Sequence, residues 1–138
     1  MSRSLDQFSK DLHLKLANVQ SNLDGLKAKI DSKAETAEQD VRKHLDSVRK
    51  RIDHAAPDVA KADSKMKKWF EEKKAATDEK VAEWKTKRET AKLQNRADGA
   101  EHYARAALEV AMSAVDNAEQ ATLEAWLARK DADAAGSK

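Results

Sequence analysis

Apolar residues recur every three or four positions along the first part of the chain: Leu5, Phe8, Leu12, Leu16, Val19, Leu23, Leu26, Ile30, Ala34, Ala37, Val41, Leu45, Val48, Ile52 and Ala55. Between Leu12 and Ala55 the mean spacing is about 3.6 residues, the repeat of an α-helix. A strand alternates every second residue, so a β-fold cannot use this pattern. A strict heptad would average about 3.5 and impose a left-handed supercoil, whereas 3.6 describes a nearly straight helix with one fixed face. Ser4-Leu5-Asp6-Gln7 offers a capping box at its start. Gly25 lies inside the stripe and costs about 1 kcal/mol relative to alanine, but the stripe passes it in phase.

Pro57 is the single proline. It removes a helical donor and crowds the carbonyl four residues back, so the first helix should end or kink there. A second stripe follows, with Val59, Ala62, Met66, Trp69, Phe70, Thr77, Val81, Trp84 and Ala91. It continues the first in phase, as a kinked helix would; a hairpin at His54–Asp58 is preferred because it gives a more compact molecule. Between Ala91 and Leu93 the stripe jumps to the opposite side of the helix, and Asp98-Gly99-Ala100-Glu101 can cap a new one. The last segment carries an alanine seam: Ala104, Ala107, Ala111, Ala114, Ala118, Ala121, Ala125, Ala128, Ala132 and Ala135. Such a seam would let a neighbouring backbone approach closely and receive the large side chains of the first helix.

The expected fold is therefore all-α: an elongated three-helix bundle of antiparallel, coiled-coil-like helices at about 4–56, 58–96 and 98–134. It forms a single helical domain, residues 1–135, with a frayed tail at 136–138. The alternative is a long helix kinked at Pro57 with the third helix folded back upon it. Acid-before-base pairs four apart, such as Glu38–Arg42 and Glu83–Lys87, support the exposed faces.

Composition narrows the function. Alanine supplies 26 of the 138 residues, and charged residues make up 38%. A core so rich in alanine can be long but must be thin. There are no cysteines, which removes disulfides, thiolate zinc sites and cysteine nucleophiles together. No basic-then-apolar leader and no apolar run of membrane-spanning length is present, so a soluble, cytoplasmic protein is expected. Net charge is +2, spread as a mildly basic middle and a mildly acidic end, too shallow for a nucleic-acid footprint.

Candidate chemistry is sparse. No two of His13, His44, His54 and His102 share the three- or four-residue spacing of a helical metal site. Asp40–His44 and Asp98–His102 have that spacing but read better as surface ion pairs. No glycine-rich phosphate loop or nucleophile elbow exists, and no catalytic, metal or cofactor site is expected. The aromatic stretch Lys67-Lys68-Trp69-Phe70-Glu71-Glu72-Lys73-Lys74 is the most distinctive. Lysines around aromatics suit stacked bases or a lipid interface. Glu71 and Glu72 cancel the field that nucleic acid requires, and Met66, Trp69, Phe70, Val81 and Trp84 follow the helical stripe as a core would. Those five are held as candidate lipid or partner contacts.

The Ala/Lys/Glu composition and single-faced helices resemble those of phasins, the granule-coating proteins of bacteria. The likeness is one of composition and carries over no functional residue. The leading expectation is a non-enzymatic interaction or scaffold protein that self-associates, or docks a partner helix, along Leu5, Phe8, Leu12, Leu16, Val19, Leu23, Leu26 and Ile30. The uncovered stretch is expected from Leu12 to Ile30, because the first helix outruns the others. An amphipathic coat on a membrane or granule surface is the alternative. A nucleic-acid-associated protein is the least favoured reading, and no small-molecule substrate is expected.

Overall fold

The computed structural model describes residues 2–136, with side chains from residue 5 onward. Those residues form four α-helices and no strand: α1 (Ser2–Asp31), α2 (Ala37–Ala75), α3 (Asp78–Thr86) and α4 (Thr90–Gly136). The fold is all-α, as the periodicity requires, but the breaks fall elsewhere. Of the tail expected at 136–138, Gly136 ends α4 and residues 137–138 lie outside the described residues. Ser4 is already helical, and its capping side chain also lies outside them; Gln7 instead donates to Asp11 Oδ1 at 2.8 Å.

The helix expected to run unbroken over 4–56 turns back at residues 32–36. Lys33 adopts φ 57°, its N–H donates to the Ile30 carbonyl, and the Ala34 N–H donates to the Lys29 carbonyl. This is a Schellman termination with lysine in the left-handed position that glycine usually fills. The reason for the turn is burial. A single straight helix would leave its stripe wet, whereas the hairpin lets Leu23, Leu26 and Ile30 pack against Val41, Leu45 and Val48.

At Pro57 the preferred hairpin does not form, and α2 remains helical through the residue. The lost bond is the one to the Asp53 carbonyl. Asp53 and Pro57 both sit on the exposed side of α2, so water can satisfy the freed acceptor. The true break comes later: α2 stops at Ala75, and Thr77 caps α3 by accepting the Lys80 N–H at 3.3 Å. Asp78 and Glu79 in the first turn of α3 favour its positive end. Arg88, with φ 56°, then repeats the Schellman arrangement, with Arg88 N–H to Lys85 O and Glu89 N–H to Trp84 O. Asp98-Gly99-Ala100-Glu101, expected to start a helix, lies well inside α4.

The chain forms two compact units, residues 1–55 with 112–138 and residues 56–111, so α2 and α4 each contribute to both. In the first unit α1 and the start of α2 form an antiparallel pair, and the last part of α4 completes a three-helix arrangement. Its core is Val41, Leu45, Val48, Leu123 and Leu127, edged by Ile52 and Trp126. In the second unit Ala62, Val81 and Ala106 are buried, and the Trp69 and Tyr103 rings stack with centroids 4.3 Å apart.

The alanine seam faces away from this core. All its members except half-buried Ala107 are exposed, while Leu123 and Leu127 point inward. At about 100° per residue the two faces lie on opposite sides of α4. Burying a leucine is worth about 1.5–3 kcal/mol, far more than an alanine, so the helix turns its few leucines inward. That rotation also carries Asp116 and Glu119 into the interior, where they are 4% and 3% exposed.

Candidate functional site

Three features stand out: a buried ionic cluster in the first unit, an uncovered end of α1, and an aromatic cleft in the second unit. The cluster joins all three helices of its unit. Lys15 Nζ on α1 reaches Asp116 Oδ1 at 2.5 Å, and Arg51 Nη1 on α2 reaches the same oxygen at 2.9 Å. Arg51 Nη1 also lies 3.7 Å from Glu119 Oε1, and His44 Nε2 lies 2.7 Å from Glu119 Oε2. With Glu119 ionised, the imidazole holds its proton on Nε2 to donate. Glu119 Oε1 has no hydrogen-bond donor, so Arg51 serves it by charge alone. The carboxylates of Asp116 and Glu119 have side chains 6% and 0% exposed, which leaves no approach for a reactant. The cluster fastens helices together.

Sequence reasoning missed this cluster. Asp116 and Glu119 share a face with Leu123 and Leu127, and that shared phase was the available signal. Of the two Asp/His pairs, neither is an ion pair: Asp40 binds Lys29 at 3.1 Å, and His44 turns to Glu119. Among the described residues no group of three His, Asp or Glu side chains is placed to hold a metal.

Two surface carboxylates record their partners. Asp40 is held below its ordinary value, chiefly by the hydrogen bond from Lys29 across the α1–α2 turn. Glu124 is lowered first by Gln120 and then by Arg49, whose Nη2 sits 2.9 Å away.

The expected interaction stripe divides. Leu23, Leu26 and Ile30 pack against the core, and Leu12 and Val19 are half-buried. Leu5, Phe8 and Leu16 are 73%, 46% and 47% exposed. The uncovered stretch therefore runs toward the N-terminus from Leu16, not from Leu12 to Ile30. Leu14, also exposed, lies off this face.

The aromatic candidates divide too. Val81 is buried, Met66, Trp69 and Trp84 are half-buried, and Phe70 is half exposed beneath Lys74 Nζ, 4.8 Å from its ring centroid. Trp69 lies against the α4 backbone: a Cβ on Gly99 would sit 2.9 Å from Trp69 Nε1. Gly99 is there to admit the indole. Trp69 and Trp84 line an open cleft of about 730 Å³, together with Thr77, Asn95, Arg96 and Ala100.

No family model, curated protein or solved structure matches this chain. No described helix is long and apolar enough to cross a membrane. The functional reading therefore rests on these surfaces.

Proposed function

We propose that the protein is a non-enzymatic helical interaction protein that pairs with a second copy of itself through the N-terminal half of α1. The supporting observation is the exposure of Leu5, Phe8 and Leu16 on the same helix face whose continuation, Leu23, Leu26 and Ile30, is packed. An apolar stripe left in water invites a partner. The stripe suits a twofold pairing, in which one patch meets itself. Centred on Leu12, an antiparallel pair sets Leu5 against Val19 and Phe8 against Leu16 of the second copy, and Asp11 against His13.

Light scattering on the purified protein tests this. A dimer at micromolar concentration is expected, and Leu5→Glu with Phe8→Glu should give a monomer of unchanged helicity. A wild-type monomer would overturn the reading. The second reading is an amphipathic coat on a lipid or granule surface. Phe70 favours it, since it stands half exposed with Lys74 over its ring and Lys67 and Lys73 nearby in sequence. Lysine stems arranged so can bury while their ammonium groups stay at a headgroup layer. Flotation with anionic vesicles, abolished by Phe70→Glu, would support it.

A further inference from the structure

Helix packing alone does not explain the cleft of the second unit. Packing alone would close the space beside Trp69 and Trp84 with apolar side chains. Instead the volume, about 730 Å³, falls in the range of small-molecule sites. Its α4 wall carries Lys92, whose Nζ lies 3.3 Å from Glu89 Oε1, and Arg96 one turn on, with Asn95 between them. Among the described residues the Arg96 side chain makes no ion pair or hydrogen bond. The indole N–H groups of Trp69 and Trp84 have no protein acceptor either. Lys92 Nζ lies 5.9 Å from the Trp84 ring centroid, so an anionic group bound to it would sit beside an indole face. Lys73 Nζ stands 5.6 Å from the Trp69 centroid on the α2 wall, where Glu72 and Asp78 also line the cleft. Those two carboxylates repel an anion from the α2 and α3 side and so direct it to α4.

We propose that this cleft binds a small, flat aromatic molecule carrying one anionic group, with the ring against Trp84 or Trp69 and the anion on Lys92 and Arg96. Unpaired donors and a guanidinium beside two indole faces match a ring and an oxyanion joined in one ligand. The site is independent of the self-association through α1.

Anilinonaphthalene sulfonate is a suitable probe, with its sulfonate-free parent as the neutral control. Saturable one-to-one binding is expected, with quenching of tryptophan emission. Arg96→Glu should weaken it about ten-fold or more, as the loss of one charge-assisted hydrogen bond would. Arg96 is exposed, so this variant keeps its fold, which circular dichroism checks. The neutral control should bind correspondingly less well than the sulfonate, and Leu5→Glu with Phe8→Glu should leave binding unchanged. Absence of saturable binding would overturn the proposal. So would equal affinity of the Arg96→Glu protein, or binding that disappears with the α1 substitutions and so belongs to the apolar stripe.

Discussion

Two helical glycines allow a controlled comparison. Gly25 and Gly99 both lie inside helices, and replacing either with alanine should recover about 0.8–1.0 kcal/mol of helix propensity. At Gly25 the new methyl would meet nothing within 4 Å, so the full gain should appear. At Gly99 it would stand 2.9 Å from Trp69 Nε1 and 3.0 Å from Trp69 Cδ1. Ordinary contact begins near 3.4 Å, so the indole must withdraw by roughly half an ångström. Withdrawal also disturbs its ring contact with Tyr103, one turn further along α4, at 4.3 Å between centroids. Overpacking of this kind costs about 1–3 kcal/mol, which cancels or exceeds the propensity gain. Gly25→Ala should therefore stabilise, and Gly99→Ala should be neutral or destabilising by up to about 2 kcal/mol. Urea unfolding followed by circular dichroism reads both. In a Trp69→Leu background the clash is gone, and Gly99→Ala should stabilise as Gly25→Ala does. If Gly99→Ala stabilises the wild type as much as Gly25→Ala, the indole does not rest on α4 and the reasoning is wrong.

Ala114→Leu should leave the unfolding midpoint within about 0.5 kcal/mol, since its seam is exposed; a loss above 1 kcal/mol would mean that the seam is packed. Lys33→Gly and Arg88→Gly should each stabilise by about 1 kcal/mol by removing a side chain from the left-handed region, and unchanged urea midpoints would refute the two turns. Asp116→Ala should destabilise by about 3 kcal/mol, the lower end for a broken buried pair because Lys15 and Arg51 can reach water. The Glu124 carboxyl should titrate below the ordinary 4.5 by NMR. A lowered folded pKa gives a contribution that is present above the unfolded value and lost as pH falls through the folded one, so Arg49→Ala should move the midpoint up.

The helical class was legible because period is a property of many residues at once. Turn positions were less so, and particular residues show why. Left-handed helix ends normally announce themselves as glycine or asparagine. Here Lys33 and Arg88 occupy them, and both read as ordinary helix residues. Asp98 and Glu101 misled in the other sense: they resembled a capping box, but they lie inside α4, where Gly99 between them accommodates a ring. Thr77 was counted in the apolar stripe, whereas its hydroxyl caps α3. The exposed end of α1 was partly legible, since an overlong stripe was visible, but the turn at residues 32–36 decides which half is covered. The cleft was not legible, because it depends on where α3 begins.

Alanine-rich helices have smooth, repetitive surfaces, and smooth surfaces slide. A shift of one turn, about 5.4 Å, between α4 and its neighbours would exchange alanine for alanine with little penalty. Asp116 and Glu119 remove that freedom. In a slipped arrangement the carboxylates would leave Lys15, Arg51 and His44 behind, and two dehydrated charges would stand among apolar side chains. The two acids thus work as detents, holding one axial and rotational setting of a helix that its apolar residues alone would leave loosely indexed.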